Sequence, residues 1–84
     1  PMRRACFYEG ADFRGASLCF DAGDGSPRLP REWIGRIASV RLEGGAEARI
    51  CERRNLTGWC ETIERSMRRL RDYYTDDIRS IEVY

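Results

Sequence analysis

The chain has 84 residues, of which 42% are hydrophobic and 35% charged, so it can form one small folded domain but not two independent cores. It contains no histidine, and all fifteen cationic residues are arginine, which excludes catalytic sites that need imidazole or lysine. Fourteen acidic residues reduce the net charge to +1, so we expect no binding to nucleic acid. No apolar stretch reaches the roughly 18 residues of a membrane span, so we expect no membrane insertion.

The order of apolar residues and turn residues predicts short strands. In chain order they cover residues 5–9, 16–21, 37–42, 48–52, 59–64 and 78–83. Residues 21–30 are rich in Asp, Gly and Pro, which predicts a loop, and residues 44–46 are the expected connector between two halves. Apolar residues at Met67, Leu70 and Tyr74 predict a short helical turn within residues 65–74.

The two halves of the chain carry related sequences, displaced by 43 positions near the start of each half and by 41 near its end. The first block pairs Glu9, Phe13 and Gly15 with Glu52, Leu56 and Gly58, and the second pairs Leu29, Ile37, Ser39 and Val40 with Leu70, Ile78, Ser80 and Ile81. Two all-β units of this size should pack face to face. The repeat therefore predicts an all-β, two-motif Greek-key β-sandwich in one domain spanning residues 1–84, with motif one at 4–43 and motif two at 46–84.

Alternation along the strands also predicts which side chains point inward. The expected inward residues are Phe7 or Tyr8, Phe13, Leu18, Phe20, Val40, Leu42, Ile50, Leu56, Ile63, Ile81 and Val83.

Four cysteines, Cys6, Cys19, Cys51 and Cys60, form an even set without a CxxC pair. They fit either two disulfides of an exported domain or four reduced, buried thiols, and two bridges could be paired in three ways. The N-terminus has no signal-peptide stretch and begins Pro1-Met2, so an exported and a cytoplasmic location both stay open.

The segment Tyr8-Glu9, three further residues and Phe13-Arg14-Gly15 resembles the Greek-key signature of the βγ-crystallin superfamily. The second copy keeps Glu52 and Gly58 but has Cys51 and Leu56 where that signature prefers aromatic residues. The resemblance covers nearly the whole chain and implies one microbial-type domain of two motifs, and the arginine-only composition is compatible with a bacterial source.

Many members of this superfamily bind calcium through one stretch in each motif, here residues 34–39 and 75–80. Calcium takes about six to eight oxygen ligands. The resemblance implies a hydroxyl at positions 38 and 79, but Ala38 has none and Arg79 places a positive charge there. It also implies that Ser39 has the structural role of supporting the turn. The resemblance leaves Glu9, Thr75 and Asp76 as candidate ligands of at most one weakly bound calcium ion, with Ala38 and Arg79 as the disabling positions. The alternative is a solvated turn at Asp76 that binds no ion.

The densest basic run, residues 65–71, is bordered by acidic residues, which favours a solvated, ion-paired face over a nucleic-acid site.

The resemblance implies a non-enzymatic structural or stress-related domain with degenerate calcium-binding motifs, either monomeric or weakly dimeric, whose protein partner the sequence does not name. The alternative is an exported binding module, such as a protease or toxin inhibitor that presents a rigid loop, for which residues 21–30 are the candidate. Two intact disulfides would favour the exported module, and four free thiols the intracellular structural protein.

Overall fold

A computed structural model describes residues 2–70 and 78–84, which form two antiparallel β-sheets. The strands of these residues are β1 (Arg4–Tyr8), β2 (Ser17–Asp21), β3 (Gly25–Ser26), β4 (Ser39–Glu43), β5 (Ala48–Arg53), β6 (Thr57–Ile63) and β7 (Ser80–Val83). Single 3-10 turns lie at Ala11–Phe13, Arg31–Trp33 and Arg54–Leu56. None of the helices in the described ranges has the length and apolar character needed to cross a lipid bilayer.

The strands form where buried and exposed side chains alternate, because successive side chains of a strand point to opposite faces of the sheet. In β5, Ala48 and Ile50 are buried while Arg49 between them is exposed, and in β7 Ile81 and Val83 are buried on either side of exposed Glu82. The predicted all-β Greek-key sandwich is confirmed. Each of the six predicted strands is present, with slightly different bounds.

Each half of the chain contributes a short segment to the sheet of the other half. One sheet has the order β2-β1-β4 and the other β3-β7-β5-β6, so β3, from the first half, pairs with β7 of the second. In return, Met67 pairs with Val40 of β4 through two backbone hydrogen bonds of 2.8 and 3.0 Å. This exchange ties the two motifs together.

The exchange corrects two sequence predictions. The loop expected at residues 21–30 contains β3, and Met67, expected in a helical turn, lies in a β-bridge. The physical reason is the same in both cases: a segment of one or two residues is too short to show a strand period, and its partner lies in the other half of the chain. The described part of that stretch, residues 65–70, contains no helix, and residues 71–74 lie outside the described residues.

The core lies between the two sheets and draws on both halves. Phe7, Val40, Ile50, Ile63, Ile81 and Val83 are buried as expected. Leu29, Ile37, Leu70 and Ile78, which the repeat pairs but which lie outside the strands, are buried as well. Of the pair Phe7 or Tyr8, Phe7 is the buried one. Five other residues expected to point inward are only half-buried: Phe13, Leu18, Phe20, Leu42 and Leu56.

Candidate functional site

Two folded hairpins, one in each motif, shape the surface where the resemblance places ligands. The first connects β1 to β2 and has Asp12 and Phe13 at φ values of 57° and 61°. The second connects β5 to β6 and has Asn55 and Leu56 at 60° and 58°. Residues other than glycine seldom adopt this left-handed region, at a cost of about 1–3 kcal/mol each, so both hairpins need support from surrounding contacts.

Two buried serines, equivalent in the repeat, provide that support. Ser39 Oγ donates to the Gly10 carbonyl at 2.6 Å and accepts the Phe13 N–H at 3.1 Å. Ser80 Oγ donates to the Arg53 carbonyl at 2.6 Å and accepts the Leu56 N–H at 2.9 Å. Both serines are fully buried, so each hydroxyl satisfies two backbone groups of a hairpin from the neighbouring strand. The structural role that the resemblance gives to Ser39 is the role it has here.

The candidate calcium site is only partly within the described residues. Glu9 and Ala38 line one cavity of about 320 Å³, together with Arg36 and Arg69. The backbone N–H of Ala38 donates to the Tyr8 carbonyl at 2.8 Å, and its carbonyl accepts the Leu70 N–H at 2.9 Å. Thr75 and Asp76, the other candidate ligands, lie outside the described residues, so their prediction stays a prediction.

The described lining of this cavity has more basic than acidic residues. It includes one acidic residue, Glu9, and two arginines, Arg36 and Arg69, whose positive charges disfavour a cation. Across residues 2–70 and 78–84 no three side chains of His, Cys, Asp or Glu lie close enough to hold a metal ion. Calcium needs several oxygen ligands, and Glu9 is the one acidic residue among the described lining residues.

Arg79, the second disabling position, lies in a different place from Glu9 and Ala38. It lines a groove of about 480 Å³ beside the second hairpin, which we call the arginine groove; its lining residues are Arg53, Arg54, Asn55, Thr57 and Arg79. The backbone of Arg79 is fixed by hydrogen bonds of its N–H to the Cys51 carbonyl and of its carbonyl to the Leu29 N–H. The sequence analysis identified Arg79 as a site position but not Arg53 or Arg54, because the Greek-key signature does not specify the residue type at these two positions.

Of the basic run at residues 65–71, Arg68 packs on the first hairpin. Its guanidinium lies 3.5 Å from a carboxylate oxygen of Asp12 and 5.8 Å from the centre of the Phe13 ring. The backbone N–H of Asp12 also donates to the Arg68 carbonyl at 2.9 Å. Arg68 therefore forms an ion pair of the kind predicted for the basic run.

All four cysteines form disulfides, each between directly opposite residues of neighbouring strands. Cys6 of β1 is bonded to Cys19 of β2, and Cys51 of β5 to Cys60 of β6. Each bridge therefore closes the hairpin of its own motif. In the first hairpin the Tyr8 and Phe13 rings also pack, with centroids 5.8 Å apart; in the second, Cys51 occupies the position equivalent to Tyr8, so the disulfide replaces the aromatic contact.

The candidate loop at residues 21–30 is fixed to the second motif at three points. β3 pairs with β7, the Pro27 carbonyl accepts the Asn55 N–H at 2.8 Å, and buried Leu29 donates to the Arg79 carbonyl at 2.8 Å. Arg28 between these last two contacts is exposed. The loop is therefore rigid at its second half and borders the arginine groove.

Among the described strands, β6 lies at one edge of its sheet, opposite β3. It presents a large aromatic side chain that the sequence analysis did not single out. Trp59 is 60% exposed, with its indole N–H donating to Glu61 at 3.3 Å. Its backbone N–H donates to the Glu52 carboxylate at 3.1 Å. Together with the Cys51–Cys60 disulfide, this contact holds the start of β6 in an extended conformation.

Solved βγ-crystallin domains have the same fold. The domain from Flavobacterium johnsoniae is 24% identical and superposes with a TM-score of 0.81 over 95% of this chain and 92% of that one. The Ca²⁺-bound βγ-crystallin domain of Abundant Perithecial Protein from Neurospora crassa is 18% identical, with a TM-score of 0.81 over 96% and 87%. The N-terminal domain of Protein S is 18% identical, with a TM-score of 0.79 over 96% and 94%. The protein thus has the Greek-key fold of βγ-crystallin domains.

A comparison of the sequence with protein-family models identifies the family of the chain. The model of peptidase inhibitor family I36 matches residues 1–63 of the 84, and the chain belongs to this family. No curated protein sequence matches the chain.

Proposed function

We propose that this domain is an exported peptidase inhibitor that works as a rigid binding module and has no catalytic activity of its own. The observation that carries the proposal is the match of residues 1–63 to peptidase inhibitor family I36. The disulfides add support from the structure, because cross-linked hairpins are typical of small proteins outside the reducing cytoplasm. A rigid surface also loses little conformational entropy on binding.

The surface that best suits a peptidase cleft is the outer edge of β6 with Trp59. Extended peptides bind to protein partners by strand pairing, and within the described residues the outer side of β6 has no strand partner. The exposed Trp59 ring offers a large apolar anchor, a residue type that often dominates the binding energy of an interface. The contact of Glu52 with the Trp59 backbone and the disulfide to Cys60 hold this segment before any partner arrives.

An inhibition assay tests the proposal. The oxidised domain is titrated against four purified endopeptidases, one each of the serine, cysteine, aspartic and metallo classes, and hydrolysis of a fluorogenic substrate is followed. We expect saturable inhibition of at least one enzyme, with the domain recovered intact by mass spectrometry. Absence of inhibition at every concentration up to the solubility limit, or digestion of the domain as a substrate, would overturn the proposal.

A matched pair of variants tests the surface. Trp59→Ala should weaken inhibition by about tenfold or more, as expected for an aromatic residue at the centre of an interface. Tyr84→Ala removes another exposed aromatic side chain, 41% exposed at the end of the described chain, and should leave inhibition unchanged. Equal effects of the two variants would argue against the β6 edge as the contact surface.

The second candidate function is a structural or stress-related domain with weak or no calcium binding. The likeness to solved βγ-crystallin domains, one of them in a Ca²⁺-bound form, supports it through the fold alone. In that case none of the four peptidases would be inhibited, and an increase in melting temperature with calcium would show a remaining metal site.

A further inference from the structure

The arginine groove brings together three exposed arginines, and no described acidic residue lines it. Arg53, Arg54 and Arg79 line it, and its lining within residues 2–70 and 78–84 includes no Asp or Glu. None of the three arginines forms an ion pair with another described residue. Glu52, the acidic residue next to Arg53 in sequence, has its carboxylate on the Trp59 N–H. Like charges that line one groove repel each other, so a bound anion would reduce the repulsion among these three arginines.

The repeat shows that the fold does not require these arginines. The equivalent positions of the first hairpin are Gly10, Ala11 and Ala38, yet that hairpin has the same left-handed residues and the same serine support. The first hairpin also balances its charge, since Asp12 pairs with Arg68 at 3.5 Å. In the second hairpin the residue equivalent to Asp12 is the neutral Asn55. The second hairpin with the residue before β7 thus carries three arginines at positions where the first motif has uncharged residues.

The groove adjoins the outer edge of β6, the surface proposed above to bind a peptidase. Thr57, one of its lining residues, is the first residue of β6, two positions before Trp59. On the opposite side the Pro27 carbonyl and the Leu29 N–H bond to Asn55 and Arg79, which places exposed Arg28 at the border of the groove. A partner that docks along β6 would therefore meet the groove.

We propose that the arginine groove binds a carboxylate-bearing segment of the inhibited peptidase, next to the cleft that receives β6. This inference rests on the proposed function. Guanidinium groups match carboxylates in shape and can bind them through two parallel hydrogen bonds. A nucleic acid is the less suitable partner, because the fourteen acidic residues reduce the net charge of the whole domain to +1.

A binding experiment without any peptidase tests the groove separately. An isotope-labelled domain is titrated with a capped tetrapeptide of glutamate, and backbone amide shifts are followed by NMR. The groove variant is Arg53→Gln, Arg54→Gln and Arg79→Gln combined, and the control is Arg3→Gln, Arg31→Gln and Arg65→Gln, which removes the same charge from exposed positions outside the groove. Exposed ion pairs each change a binding constant by about two- to fivefold, so we expect the groove variant to bind about tenfold more weakly than the control.

The expected result has three further parts: shifts centred on Asn55 and Thr57, weaker binding as salt is raised, and little response to a capped glutamine tetrapeptide. Equal weakening in the groove variant and the control would show unspecific charge attraction and overturn the proposal. Tighter binding of a single-stranded oligonucleotide, lost in the groove variant, would replace it with a nucleic-acid site. Arg54→Gln alone should already weaken peptide binding if the triple variant folds poorly.

The two proposals fail in different ways. A domain that inhibits a peptidase but binds the glutamate peptide no better than its groove variant does would overturn only the groove assignment. A domain that binds the peptide through the groove but inhibits none of the four peptidases would overturn the proposed function and the identity of the partner.

Discussion

Replacing Ser80 by alanine should destabilise the domain strongly, because one buried hydroxyl satisfies two backbone groups. Ser80 Oγ bonds the Arg53 carbonyl at 2.6 Å and the Leu56 N–H at 2.9 Å. Each buried polar group left without a partner costs about 1–3 kcal/mol, so we expect a loss of about 2–4 kcal/mol in the free energy of unfolding. For a domain of this size that corresponds to a decrease of roughly 10–25 °C in melting temperature.

A matched control separates burial from hydrogen bonding itself. Ser66 Oγ likewise accepts the Leu42 N–H, at 2.8 Å, and donates to the Leu42 carbonyl, at 3.4 Å, but Ser66 is exposed. Water can replace its hydroxyl, so Ser66→Ala should cost less than about 1 kcal/mol. Ser39→Ala should match Ser80→Ala, and because the two sites share no partner the double variant should show the sum of both losses.

The assay is reversible urea and thermal unfolding with the disulfides intact, followed by far-UV circular dichroism. The reasoning would be refuted if Ser80→Ala and Ser66→Ala cost the same, since both side chains make the same two kinds of bond. It would also fail if Ser80→Ala cost less than about 0.5 kcal/mol, the range of an ordinary surface substitution.

Three other predictions follow from the hairpins and the cavities. The disulfides span sequence separations of 13 and 9 residues, so removing either by a double Cys→Ser substitution should cost about 3 kcal/mol in urea unfolding, and an unchanged midpoint would contradict this. Gly58→Ala, at φ 76° with the new Cβ 2.8 Å from Glu52 Cγ, should cost about 2–3 kcal/mol, whereas Gly23→Ala, at φ 96° in open space, should cost only about 1 kcal/mol. Calcium at about 1 mM should raise the melting temperature by less than about 1 °C, and Ala38→Ser should enlarge that shift while Arg79→Ser alone should not. Isothermal titration that found two tight calcium sites in the parent would show the assignment of the clamp positions to be wrong.

The sequence by itself determined the features that depend on local backbone geometry. A hairpin residue at positive φ favours glycine, and a buried hydroxyl under the turn requires serine or threonine. Gly15 and Ser39 therefore recur as Gly58 and Ser80, displaced by 43 and 41 positions, and reveal the repeat. The repeat and the alternation of apolar residues were together sufficient for the all-β Greek-key sandwich. The loss of side-chain oxygens at Ala38 could also be recognised without coordinates.

Only the tertiary structure decided which distant segments meet. The three possible disulfide pairings are equally compatible with the sequence, and the choice follows from the register that puts Cys6 opposite Cys19 and Cys51 opposite Cys60. The exchange of β3 and Met67 between sheets rests on pairings across the two halves, which segments of one or two residues cannot signal by periodicity. Arg79 lies in one groove with Arg53 and Arg54 because β7 pairs with β5. The sequence does not reveal this proximity, because exposed arginines follow no hydrophobic periodicity.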